Sequence, residues 1–213
     1  MHTVHRGPEP PGLGSVRRKY TPRWVSHYRD GYGTKPSDSK WRDFHSNVSN
    51  AFFSLCGYCE ETCKGEVDHF RPKSKFPERV YLWDNWVLAC HTCNAKKSEH
   101  WPSGGYVDPC ATSPRARPES YFAFDTKTGE ILPKSGLSAA RRRKSARMID
   151  DLGVNAYYHL KKRAQWLRLV SEALNAVNSA DNEELIGFVA SRGTELSSFT
   201  RAWLQQQGYF YRD

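Results

Sequence analysis

The 213-residue chain lacks any run of eighteen uncharged apolar residues, so no segment of it reads as a membrane span. Its opening residues, Met1-His2-Thr3-Val4-His5-Arg6, contain no hydrophobic stretch of the kind a secretory signal needs, and a cytoplasmic location is the expectation. The pattern GxxxxGK[ST] is absent, so P-loop nucleotide hydrolysis would have to come from another subunit. Internal repeats are absent too. Acidic residues are in the minority, 23 against 32 lysines and arginines, for a net charge of +9. With 38% apolar and 13% aromatic residues, the composition excludes wholesale disorder, and the charge points toward a polyanion such as nucleic acid.

The positive excess sits on two flanks. Residues 1–50 and 111–150 each carry nine basic and four acidic side chains, whereas 51–110 and 151–213 are close to balanced. Four parts follow. Residues 1–36, rich in glycine and proline and basic at Arg17-Arg18-Lys19, read as an extended arm. Residues 37–110 hold a helix over 39–55, with Trp41, Phe44, Val48 and Phe52 at helical spacing, and then strand, loop, strand and helix. Residues 111–136 contain a hairpin around Thr126-Lys127-Thr128-Gly129. Residues 137–213 read as helical, over 138–152 with Gly153 as C-cap, 155–178, 181–191 and 194–207. In the second of these helices Tyr157, Leu160, Ala164, Leu167 and Leu174 form the expected core stripe. The fold class is α+β: a small two-strand-and-helix unit inside a mainly α-helical domain.

The chemistry lies in the middle. Cys56-Gly57-Tyr58-Cys59 and Cys90-His91-Thr92-Cys93 are two CxxC knuckles, each able to place two thiolates on one ion. Four sulfurs complete a tetrahedron and leave no open position, so the expected ion is a structural Zn2+. Disulfides or a redox pair are the competing readings, disfavoured by a cytoplasmic setting and by the absence of a redox fold around either pair. Cys63 and Cys110 are left over as thiols, Cys63 near enough to Cys59 to substitute as a ligand.

A second set stands beside the knuckles: Asp68-His69-Phe70-Arg71-Pro72-Lys73, Asn85, and Asn94 directly after the last cysteine, followed by Lys97. A lone Asp-His pair is usually an ordinary surface pair. In this order and spacing the set resembles the HNH endonucleases of the ββα-metal, or His-Me finger, class. Arg6-Gly7-Pro8-Glu9-Pro10-Pro11 and Phe122-x-Phe124-Asp125 with Gly129-Glu130-Ile131 extend the resemblance toward the HNH subunits of Septu and retron-associated anti-phage defence systems.

The resemblance implies that Asp68 and Asn94 hold a catalytic Mg2+ or Mn2+ ion, that His69 is the general base, and that Asn85 pins the loop that orients it. It assigns Arg71, Lys73 and Lys97 to flanking phosphates. The implied function is metal-dependent hydrolysis of DNA with little base specificity, in a complex with an ATPase partner and away from membranes. A zinc-knuckle subunit that binds nucleic acid or protein without cutting is the alternative, and a nuclease silent until its ATPase partner releases it is a third. His91 and His100 read as surface histidines. Trp24, in the basic arm, is a candidate for stacking on a base. Arg141-Arg142-Arg143-Lys144 with Arg147 is either a solvated helix surface or a backbone contact.

Overall fold

The computed structural model describes residues 1–177 and 179–211. Among the described residues, seven α-helices accompany two antiparallel two-stranded sheets, an α+β arrangement. None of these helices is long and apolar enough to cross a membrane.

The first 36 residues are not an extended arm. Residues 13–28 form α1 (Leu13–Tyr28), which begins after a left-handed Gly12 and runs through Pro22. A proline inside a helix costs about 3 kcal/mol, and here tertiary packing overrides it: Leu13 and Trp24 are buried, and the helix lies against the turn at Pro77–Arg79. Trp24 stacks on Tyr28 and meets Trp41 edge-on. At 2% exposure it is a core residue, and the expectation of a base-stacking role falls.

The helix expected over 39–55 is shorter and divided. A 3₁₀ segment (Lys40–Phe44) leads into α2 (His45–Ala51), after which Phe53 and Ser54 both take positive φ and turn the chain into the first knuckle. Strands β1 (Glu66–His69) and β2 (Trp86–Ala89) then pair antiparallel, Asp68 opposite Val87 and His69 opposite Trp86. Helix α3 (His91–Lys97) follows at once, capped by Cys90, whose Sγ accepts from the Cys93 N–H. These three elements form the strand, strand and helix unit.

Strands β3 (Phe122–Asp125) and β4 (Glu130–Pro133) form the hairpin. Asp125 closes its turn by accepting from the N–H groups of Lys127 and Thr128. Helix α4 (Ala139–Leu152) ends on a left-handed Gly153 and buries Ser145, Met148, Ile149 and Leu152, which share one face at helical spacing. That face joins the same core as Trp86, Val87 and Leu88, so α4 packs with the two-strand unit rather than with the later helices.

Helices α5 (Tyr157–Ala176), α6 (Ser179–Ala190) and α7 (Ser197–Gln206) gather around two smaller clusters, one of Val170, Leu174, Ile186, Val189, Ala190 and Leu204, the other of Leu167, Leu196 and Phe199. The buried stripe of α5 differs from the apolar reading. It runs His159, Arg163, Leu167, Val170 and Leu174, while Tyr157 is 77% exposed. Hydrophobicity alone misses it because the two polar members are buried with partners: Arg163 donates to the carbonyls of Gly129 and Val154, and His159 meets Glu61.

Candidate functional site

Two knuckles bring four sulfurs together. The first is closed by a Leu55–Thr62 bridge and by the Gly57 N–H, which donates to Leu88 O at 2.8 Å. Gly57 has no room for a side chain, since a Cβ there would lie 2.7 Å from both Phe52 and Val87. The second knuckle is the N-cap of α3. The sulfurs of Cys56, Cys59, Cys90 and Cys93 all lie within 4.8 Å of one another. Cys59 and Cys90 are 3.9 Å apart, too far for a disulfide, and all six cysteines are free. Hydrogen bonding among the sulfurs, with Cys56 the largest influence, drives the Cys90 thiol pKa far down and holds those of Cys59 and Cys93 up. A dication shared by four thiolates removes that conflict, and an all-sulfur tetrahedral set suits Zn2+. Cys63 and Cys110 lie outside the set, each with its thiol pushed up to about 12 by burial.

The second constellation grows from alternation on β1. Glu66 and Asp68 project to one face, Val67 and His69 to the other. Asn94 and Lys97 are one turn apart on α3, and the helix meets the strand in two rungs. The Asn94 amide donates to Glu66 Oε2 at 2.5 Å, and the Lys97 ammonium donates to Asp68 Oδ1 at 2.9 Å and to the His69 carbonyl at 2.8 Å. Tyr58, inside the first knuckle, donates its hydroxyl to Asp68 Oδ2 at 2.5 Å. Asp68 and Asn94 are thus on adjacent rungs and have different partners.

His69 is fixed on the opposite face. A carbonyl can only accept, so the contact between its Nε2 and Val80 O, at 2.9 Å, places the ring proton on Nε2 and leaves Nδ1 with a lone pair. Nδ1 has no hydrogen-bond partner among the described residues. Trp41 meets the ring edge-on, with centroids 4.8 Å apart. Burial, then the charge of Lys73 and less so that of Lys97, lowers the His69 pKa to about 3, so the imidazole is neutral near pH 7.

Asn85 closes the loop between the strands. Its Oδ1 accepts from the Arg71 N–H, while Nδ2 donates to the carbonyls of Arg71 and Arg79. The residue two after His69 is thereby tied to the residue before Val80. Arg71 is exposed, lying over the rings of Phe76 and Trp101, and Lys73 lies over Trp41. Lys97 departs from the expectation of a phosphate contact: it is fully enclosed, with its ammonium committed to Asp68 and His69. His91 and His100 are exposed, and His91 contacts Glu66 at 3.0 Å.

The sequence pattern assigns none of Tyr58, Glu66 and Trp41 to the site. The two-residue step from Glu66 to Asp68 was a usable signal for one of them, because it puts both carboxylates on the same face. Tyr58 reads as spacer between cysteines, and Trp41 as ordinary core.

Residues 56–100 match the family model described as HNH endonuclease. A stretch of 50 residues is 42% identical to the Septu protein PtuB of Bacillus thuringiensis, covering 21% of this chain and 20% of that protein, so the likeness spans about a fifth of each. The two-strand-and-helix unit with its four-cysteine centre is the part of this longer, mainly helical chain that matches the HNH endonuclease family.

Proposed function

We propose that the chain is a metal-dependent endonuclease that hydrolyses DNA phosphodiester bonds, the nuclease effector of an anti-phage defence system that works with an ATPase subunit. The observation that carries this is His69: a neutral imidazole whose Nε2–H is committed to Val80 O and whose Nδ1 is left to accept a proton. Such a base contributes about 10²–10⁴-fold to a hydrolysis rate. The partial likeness to a Septu protein supports the partnership.

The donor chemistry suits a hard cation. Each Asp68 oxygen retains a lone pair beyond its single hydrogen bond, and the Asn94 amide oxygen accepts none among the described residues. Asp68 and Asn94 would hold Mg2+ or Mn2+, which when bound supplies charge stabilisation at the phosphate and the departing 3′ oxygen. His69 Nδ1 takes a proton from water as its oxygen attacks phosphorus; the P–O3′ bond breaks and the departing 3′ oxygen takes a proton from solvent, leaving 5′-phosphate and 3′-hydroxyl ends. Burial keeps His69 unprotonated but makes it a weak base. A phosphate docked on Lys73 offsets the charge that helps depress its pKa, so substrate binding strengthens the base. Asn85 holds the loop, and Lys97 with Tyr58 orients Asp68.

Engagement of both Asp68 oxygens by protein groups favours the competing reading, a zinc-knuckle module that binds without cutting. Incubation with supercoiled plasmid and Mg2+ or Mn2+, with and without the ATPase, decides between them. Nicking that disappears in His69→Ala, with zinc content retained, supports catalysis. Intact plasmid under every condition supports the binding module.

A further inference from the structure

Away from the four-cysteine centre, α4 and the 102–105 loop border an open cavity of about 750 Å³. Arg143, Lys144 and Arg147 line it, and none of them forms an ion pair among the described residues. Asp150 is the one carboxylate among its lining residues. Arg141, also at its wall, is held in place by donating to the carbonyls of Arg115 and Ser120 and by lying 4.2 Å from the centre of the Tyr121 ring. Arg142, one residue on, does not line the cavity, although it is exposed just as Arg143 and Arg147 are. The positive charge of α4 is therefore divided between a groove and open solvent, a division the run of basic residues does not reveal.

The groove has a built wall. Gly104 and Gly105 both take positive φ, and a Cβ on Gly105 would fall 2.5 Å from the Trp101 ring, so the loop packs directly on that indole. Trp101 in turn meets Phe70, the residue after His69, edge-on at 5.2 Å, and it underlies Arg71. The opposite wall, α4, packs on α3, which carries Asn94 and Lys97. Both walls are thus anchored to elements of the HNH centre.

We infer that this groove is a binding track for the phosphate backbone of a nucleic-acid strand, gripped by Arg143, Lys144 and Arg147 and continued toward His69 by Arg71. The inference deepens the nuclease reading and rests on it. Arg143 and Arg147 are four residues apart on one helix, about 6 Å along its axis, so their guanidinium groups can bind successive phosphates of one strand. Three partnerless cations above a loop of two glycines leave space for a backbone and present no arrangement for reading base edges, so the track is insensitive to sequence.

Fluorescence anisotropy with labelled DNA duplex, single-stranded DNA and RNA, in zinc-loaded His69→Ala without added Mg2+ or Mn2+ so that nothing is cut, tests it. Replacing Arg143, Lys144 and Arg147 together by alanine is expected to weaken binding and flatten the log–log salt dependence by about 0.9 per contact on duplex, or about 0.7 on a single strand. Arg142→Ala should leave the slope unchanged, and Asp150→Asn should tighten binding. A triple variant with the parental slope, an Arg142→Ala loss equal to that of Arg143→Ala, or a parent that binds none of the three nucleic acids overturns the inference. Cleavage by the wild type is scored separately, with Mg2+ or Mn2+ and with and without the ATPase: a groove effect with no cleavage under any of these conditions leaves the track standing and ends the nuclease reading, and cleavage with an unchanged slope does the reverse.

Discussion

Lys97 and Asp68 form a buried ion pair at 2.9 Å, with side chains 0% and 5% exposed, and it joins α3 to the end of β1. Removing one member of such a pair leaves the other charged and sealed from water, a loss of about 3–5 kcal/mol. Lys97→Ala is expected to destabilise the protein by that order, measured by denaturant unfolding of the zinc-loaded form. A loss below about 1 kcal/mol would show that water reaches Asp68.

His69 predicts a dependence of stability on pH. Its folded pKa is about 3 against an ordinary value near 6.5, so between those values the unfolded chain binds a proton that the folded chain does not. Above about pH 6.5 the residue costs nothing. As pH falls toward 3 the penalty grows to about 4 kcal/mol at 1.36 kcal/mol per unit. The stability of His69→Phe relative to wild type should therefore rise on acidification from pH 7 to 4, both proteins being compared with equal metal content. A constant difference would place His69 in contact with solvent.

Metal removal should be easier once the surroundings of Cys59 are disturbed. The Cys59 sulfur, a Glu61 carboxylate oxygen and a His159 ring nitrogen lie within 4.8 Å of one another, and His159 Nε2 is buried without a partner among the described residues. Groups around a metal ligand typically govern about 10–100-fold in affinity. His159→Phe is expected to weaken zinc binding within that range, read by competition with a chromophoric chelator, and to shift the visible spectrum of the Co2+-substituted protein. An unchanged affinity and spectrum in a folded variant would show that His159 serves only to pack α5.

Gly57→Ala introduces a methyl group 2.7 Å from Phe52 and Val87. Overpacking of this kind costs about 1–3 kcal/mol, and the strain bears directly on the first knuckle. A lowered melting temperature with reduced zinc content is expected. A melting temperature equal to wild type would mean that the knuckle can shift away from β2.

Features that depend on neighbours along the chain were legible in the residues alone. Two CxxC spacings specified the four-sulfur centre, because each knuckle is a local turn, and the hairpin and the Gly153 cap were legible for the same reason. Alternation along Glu66-Val67-Asp68-His69 separated the faces of β1 but named no partners. It took the folded chain to pair Asp68 with Lys97 and Tyr58, to pair Asn94 with Glu66, and to direct the His69 Nε2–H to Val80 O. Long-range packing likewise keeps residues 13–28 helical through Pro22 and turns His159 and Arg163 inward on α5. The physical reason is the same in each case: burying a charge, a polar ring or a proline-interrupted helix is unfavourable in isolation, and it becomes stable only when distant segments supply the partner that satisfies or covers it.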